Sequence, residues 1–186
     1  GIVSVFSRTV SQPDVIIEGP VAVTAAVIEN TPPAEPYQEV YLDITGVPPV
    51  VEAGATFTLP LKYKTSDGNS TTGIHLYINY HSSVLTANVS DQIPAMITSN
   101  GFLADAPNMG TNADGSTDTG IYFQWADFMG AWAAGSDAQT IANIDFTVAG
   151  GVSSATSTPI RVRNIETAAG YNFYGKDLTL SFSGAE

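Results

Sequence analysis

Ile74-His-Leu-Tyr-Ile-Asn-Tyr-His-Ser-Ser-Val-Leu85 decides the fold. Ile74, Leu76, Ile78 and Tyr80 share one parity, and His75, Tyr77 and Asn79 share the other. That period of two marks a strand with a single apolar face. The pattern breaks at a short polar turn and returns at Val84 and Leu85. Gly120-Ile-Tyr-Phe-Gln-Trp-Ala-Asp-Phe128 repeats the device, with Ile121, Phe123 and Trp125 set against Tyr122 and Gln124. Both stretches pair an apolar inner row with a polar, aromatic outer row, which points to a β-sandwich.

Outward from these two stretches the same alternation recurs. Val40, Leu42 and Ile44 form one row, and Phe57, Leu59 and Leu61 another. Ile160 and Val162 alternate with Arg161 and Arg163, and Leu178, Leu180 and Phe182 close the set. Ile141, Ile144, Phe146 and Val148 keep the period except for a slip near Ala142, as a β-bulge produces. Weaker strands are expected at 84–89 and 93–98. Polar, glycine-containing turns at 66–73, 112–120 and 150–157 punctuate the rows. About nine short strands with such punctuation predict an all-β, antiparallel sandwich of jelly-roll topology. No long stretch has a helical period, and residues 129–138 have room for one turn.

Composition narrows the function. Only 13% of residues are charged, about half the usual share, and Thr, Ser, Gly, Ala and Val fill the gap. Six Lys and Arg face 18 Asp and Glu, a formal charge of −12. A nucleic-acid binder needs a basic stripe, and the chain has none. No apolar run reaches about 18 residues, so no helical membrane insertion is expected. Cysteine is absent, which removes disulfides, thiol catalysis and thiolate metal sites. Neither a nucleophile elbow, a zinc-protease motif nor a phosphate loop occurs, and the chain reads as a non-enzyme.

Residues 1–37 differ from the remainder. The run 21–28 is β-branched, small and uncharged. Asn30-Thr-Pro-Pro-Ala-Glu-Pro36 is a linker by composition. The expected division is therefore an N-terminal extension, 1–37, and a sandwich, 38–186. A strand such as 21–28 is too short to form a core alone. It either folds back onto its own sandwich or is donated to a neighbour through Val21, Val23, Ala25 and Val27.

Residues 38–186 resemble the cohesin family, the β-sandwich modules that receive dockerins in cellulosomes. The resemblance rests on Val51-Glu-Ala-Gly-Ala-Thr-Phe-Thr-Leu-Pro-Leu61, on Ile74 to Leu85, on Phe123-Gln-Trp-Ala-Asp127, on residues 138–148 and on Thr158-Pro-Ile-Arg-Val162. The turn Tyr80-His-Ser-Ser83 lacks the Asp and Pro usual in that family. The resemblance implies that the third, fifth, sixth and eighth strands share a sheet whose outer face holds the partner. His75, Tyr77, Asn79, Tyr122, Gln124, Arg161 and Arg163 would then lie on one open surface. Tyr and Arg are common interface anchors.

Further groups of residues invite a chemical reading. Asn112, Asp114 and Asp118 alternate in a flexible acidic loop, the kind of oxygen set that calcium takes. His75 and His81 are six residues apart, about 20 Å along a strand, too far to share an ion. Trp125 has the parity of the core, and Trp132 reads as a satellite core beneath a loop. Three readings result, all extracellular or at the cell surface. The first is a structural subunit of a filament or matrix, joined to other copies of itself by strand donation. The second is a cohesin-type receptor for a dockerin-like protein. The third is a carbohydrate-binding module, for which an exposed Trp132 or Tyr174 and measurable glycan affinity would speak.

Overall fold

The structure is a computed structural model and describes residues 19–92, 101–104, 115–132, 135–152 and 156–184. Two sheets pack face to face. The larger has seven strands, built from β1 (Val21–Ile28), β3 (Val50–Val51), β5 (Gly73–Tyr80), β7 (Gly101–Ala104), β8 (Thr119–Ala126), β10 (Ser157–Thr167) and β12 (Asp177–Gly184). Its spatial order is β3-β1-β12-β10-β5-β8-β7. The five-stranded sheet runs β11-β2-β4-β9-β6. Its members are β2 (Tyr37–Leu42), β4 (Thr56–Thr65), β6 (Leu85–Gln92), β9 (Gln139–Val148) and β11 (Asn172–Gly175). All pairings are antiparallel except β11 with β2. The expected all-β sandwich is the observed one.

Alternation places the core as the sequence predicts. Leu76, Ile78, Phe123 and Trp125 from the larger sheet face Leu59, Leu61, Ile144 and Phe146 from the smaller, all at most 1% exposed. The slip near Ala142 is a bulge: Leu61 pairs with Ala142 and Lys62 with Thr140, leaving Ile141 as the extra residue. Both Ile141 and Ala142 are fully buried. Trp132 returns under a loop by a two-way backbone bridge to Thr71 and stacks over Trp125 with ring centroids 6.0 Å apart. The expected strand at 93–98 lies outside the described residues. No helix occurs within the described part of 129–138, where residues 127–130 form a tight turn.

Of the two arrangements open to the N-terminal stretch, the structure has residues 21–36 folded back onto the sandwich of the same chain. β1 runs antiparallel to β12 of its own chain through eight residue pairs, from Val21 opposite Gly184 to Ile28 opposite Asp177. Val21 and Val23 belong to the common core, and Ala25 packs against it. The proline-rich stretch is stitched down as well. Asn30 O accepts from Tyr174 Oη at 2.6 Å, Ala34 O from Asn172 Nδ2 at 2.7 Å and Pro36 O from Asn172 N–H at 2.9 Å. Composition gave the linker its extended backbone, and backbone carbonyls that proline leaves free then found side-chain and backbone donors on β11.

One polar side chain crosses the sandwich. Gln38 on β2 has the inward parity of Val40 and is fully buried. Its amide donates to Tyr63 Oη at 2.7 Å and to Gly73 O at 2.9 Å, and its Oε1 accepts from Ala168 N–H at 2.8 Å. Replacing it by an apolar isostere removes the side-chain partner of Gly73 O and of the Ala168 N–H, each costing about 1–3 kcal/mol, while Tyr63 Oη keeps Thr71 Oγ1 at 3.2 Å. Gln38→Leu is expected to lower unfolding free energy by about 3 kcal/mol in a urea titration, with an unchanged m-value.

Candidate protein-binding face

β10, β5, β8 and β7 lie side by side in that order, so the outer positions of the third and sixth expected strands do share one surface. Tyr77 is opposite Tyr122 and His75 opposite Gln124 across the β5–β8 pair. The His75 ring meets Tyr122 edge-on, centroids 4.6 Å apart, and Tyr77 lies 5.4 Å from Tyr122. Tyr122 Oη donates to Gln124 Oε1 at 3.0 Å. Four of the expected residues thus form one half-buried aromatic patch whose members brace one another. Burial raises the Tyr122 phenol, with the neighbouring Tyr77 adding to the shift. Burial also lowers the His75 imidazole, against a smaller opposing pull from Glu166.

Three expected members behave differently. Asn79 is 1% exposed and offers nothing to a partner. Its parity is outward, but parity decides which side of a sheet a residue takes, not what lies over that side. Arg161 and Arg163 are on the face but already engaged. Both bind Asp177 at the start of β12, Arg161 Nη1 at 2.9 Å and Arg163 Nη1 and Nη2 at 2.7 and 3.0 Å. The Val162 N–H completes the set at 3.0 Å. This is a structural clamp across β10 and β12, and the sequence reading missed it. The available signal was the outward parity of Asp177 beside Leu178.

Below the aromatic patch the face opens into a cleft of about 430 Å³. Gly73, His75, Gln124, Phe128, Glu166 and Thr167 are among its walls. β10 bulges here: Asn164 pairs with Leu76 and Glu166 with His75, leaving Ile165 as the extra residue. The turn after β8 is held rigidly. Asp127 Oδ1 accepts from Met129 N–H at 2.8 Å, Asp127 Oδ2 from Ala131 N–H at 3.2 Å, and Gly130 has φ +65°. That turn presents Phe128 and Met129 at 89% and 88% exposure, and Ile165 is 39% exposed. Apolar side chains fixed in solvent around a cleft mark an interaction site.

The remaining candidates are placed as follows. Asn112 and Asp114 lie outside the described residues. Asp118 caps the β5–β6 turn, accepting from Ser82 N–H at 2.6 Å and Ser82 Oγ at 2.7 Å. Among the described residues no three His, Asp or Glu side chains converge as metal ligands. Val21 and Val23, 3% and 5% exposed, lie in the core of their own sandwich, Ala25 packs against it, and Val27 on the same parity is half-buried. Trp132 and Tyr174 are 3% and 6% exposed, so neither supports glycan stacking. Every described cation is ion-paired: Lys62 with Asp43, Lys64 and Lys176 with Glu39, and both arginines with Asp177. No helix among the described residues is long and apolar enough to cross a membrane.

No family model matches the sequence, and no curated protein matches it. Solved structures do. The seventh ScaB type I cohesin from Pseudobacteroides cellulosolvens superposes with a TM-score of 0.51 at 13% identity, covering 76% of this chain and 88% of its own. The third cohesin ScaC of Acetivibrio cellulolyticus, solved in complex with the ScaB dockerin, gives a TM-score of 0.50 at 10% identity over 75% of this chain and 96% of its own. At these identities the likeness shows the fold, a cohesin-like β-sandwich.

The clamp has a pH signature. Burial raises the Asp177 carboxyl, but the bonds from Arg163, Val162 N–H and Arg161 outweigh it and hold the group below the ordinary range. Its contribution to stability is therefore complete above the unfolded carboxylate value of about 4 and is lost as pH falls through the lowered folded value. Asp177→Asn is expected to cost about 2–3 kcal/mol near neutral pH. The gap between variant and parent urea midpoints should narrow as the pH drops below about 4.

Proposed function

We propose that the chain is a non-catalytic, extracellular protein-binding module that receives a dockerin-like protein on the outer face of β10, β5 and β8. The observation that carries this reading is the coincidence of the aromatic patch with the cleft and its exposed apolar rim. Tyr77, Tyr122 and His75 supply broad, braced contact area, and Phe128 and Met129 supply anchors. The same strands would present this surface in a cohesin-like fold, and the Acetivibrio relative in fold was solved with a dockerin bound.

Charge specifies the partner further. With five described cations all paired and a chain charge of −12, a basic partner surface is favoured and an acidic one repelled. The arginines of β10 serve the clamp, so aromatic and apolar side chains carry the contact. The filament reading has less support, because the strand to be donated fills a place in its own sheet. Calcium at Asn112, Asp114 and Asp118 is not part of this reading, since Asp118 is committed to Ser82.

Calorimetric titration with a panel of purified type I and type II dockerins tests the assignment. At least one is expected to bind, with affinity falling as salt rises. Tyr122→Ala and Phe128→Asp should each weaken it about tenfold or more, about 1.4 kcal/mol per decade. Absence of binding across the panel, or binding indifferent to both substitutions, would remove the dockerin reading.

A further inference from the structure

The two sheets end in four edges, and edges expose unpaired backbone groups that natural proteins shorten, bulge or charge. β7 and β11 are four residues each. β6 is interrupted by a register shift between Val89 and Asp91. The fourth edge is different. β3 covers β1 only opposite Val21 and Ala22, and one further bond joins Val23 N–H to Pro49 O at 2.9 Å. From Thr24 to Ile28, β1 has β12 on one side and no strand on the other among the described residues.

Alternation fixes which groups are open. The Val23 N–H points away from β12, towards Pro49, so Ala25 and Val27 direct their N–H and C=O the same way. The turn Ile44–Gly46 packs beside β1, yet no hydrogen bond joins either residue to it. β1, Val-Ala-Val-Thr-Ala-Ala-Val-Ile, contains no charge, proline, glycine or bulge. Of the five large apolar side chains exposed among the described residues, Phe128 lines the cleft, and Met129 and Ile165 adjoin the cleft-lining residues Phe128 and Glu166 in sequence. The other two, Ile28 at 38% and Val50 at 46%, stand at the two ends of this edge.

We infer that this edge pairs with the same edge of a second copy, antiparallel about a two-fold axis, so that two seven-stranded sheets continue as one. The strand is self-complementary for such a contact. Setting Ala25 opposite Val27 of the second copy, and the reverse, closes four N–H to C=O bonds and places the two Ala26 residues across the axis. A second copy also brings no charged side chain on its β1, whereas a basic partner would find nothing on this strand to pair with. The contact is smaller than a standard interface of about 1,200 Å² or more, so the dimer is weak. Each copy carries −12, so salt strengthens the association by screening. That dependence is opposite to the one expected of a basic partner at the cleft, and the inference is independent of the dockerin reading.

Sedimentation of the full chain from about 10 µM to about 1 mM, at about 50 and about 500 mM salt, tests it together with residue-resolved amide exchange. A monomer–dimer equilibrium is expected that tightens several-fold in high salt, with Ala25 and Val27 amides gaining protection as concentration rises. Ala26→Lys puts like charges across the axis and should weaken dimerisation tenfold or more without moving the urea midpoint. A monomer at every concentration and both salts overturns the inference. Protection of both amides at all concentrations overturns it too, since the edge would then be covered within one chain. So does a dimer that Ala26→Lys leaves intact.

Discussion

A single buried amide fixes the end of the sandwich that carries the cleft. Gln38 belongs to the five-stranded sheet, Gly73 opens β5 in the other, and Ala168 lies in the connection beyond β10. Hydrogen bonds between the Gln38 side chain and Tyr63, Gly73 and Ala168 set the spacing of the layers at that end, and in a low-dielectric interior none can lapse cheaply. Tyr63, which accepts from the same amide, has its phenol pushed up to about 12 by burial. Gly73 makes the geometry possible. Its φ is +128°, and a Cβ there would stand 2.0 Å from Trp125 O. The glycine lets β5 close on β8 where Trp125, Trp132 and Tyr63 fill the space behind the cleft.

Most of the fold was legible because burial of one face imposes a period of two. The rows of β4, β5, β8, β9, β10 and β12 are plain in the sequence, as is the bulge at Ile141. What alternation does not encode is pairing. β1 has the composition of a strand with any partner, and only its register against β12 shows that it stays at home. Gln38 was invisible for a related reason. A glutamine at an inward position reads as an imperfection of the row until its three partners, remote in sequence, are in place. The face was half legible. Parity turned Tyr77, Tyr122, His75 and Gln124 outward and the cohesin resemblance put their strands in one sheet, whereas Phe128 and Met129 owe their exposure to the Asp127 turn, which no period announces.

Asp177 shows how a sound residue choice acquires the wrong role. Arg161 and Arg163 look like interface anchors by type, by alternation and by sheet. Yet burying a carboxylate is costly unless donors surround it, and Asp177 is 5% exposed. The two guanidinium groups and one backbone N–H answer that cost. The same logic holds for Glu39, 3% exposed and flanked by Lys64 and Lys176. In a chain with six basic residues, two buried acids consume four of them.

That consumption separates the two working surfaces. Once the cations are bound internally, the outer field is set by the unpaired acids, and any surface that relies on charge must seek a basic partner. Glu166 at the cleft fits that description, with aromatic area above it and Phe128 beside it. The β1 edge has the opposite character: no charge, open backbone groups and two exposed aliphatic side chains. It can recruit only by main-chain hydrogen bonding, which asks nothing of the partner's charge and works against the net repulsion of a copy. Scarcity of basic residues thus explains why one surface is aromatic rather than arginine-rich, and why the other is weak and governed by ionic strength.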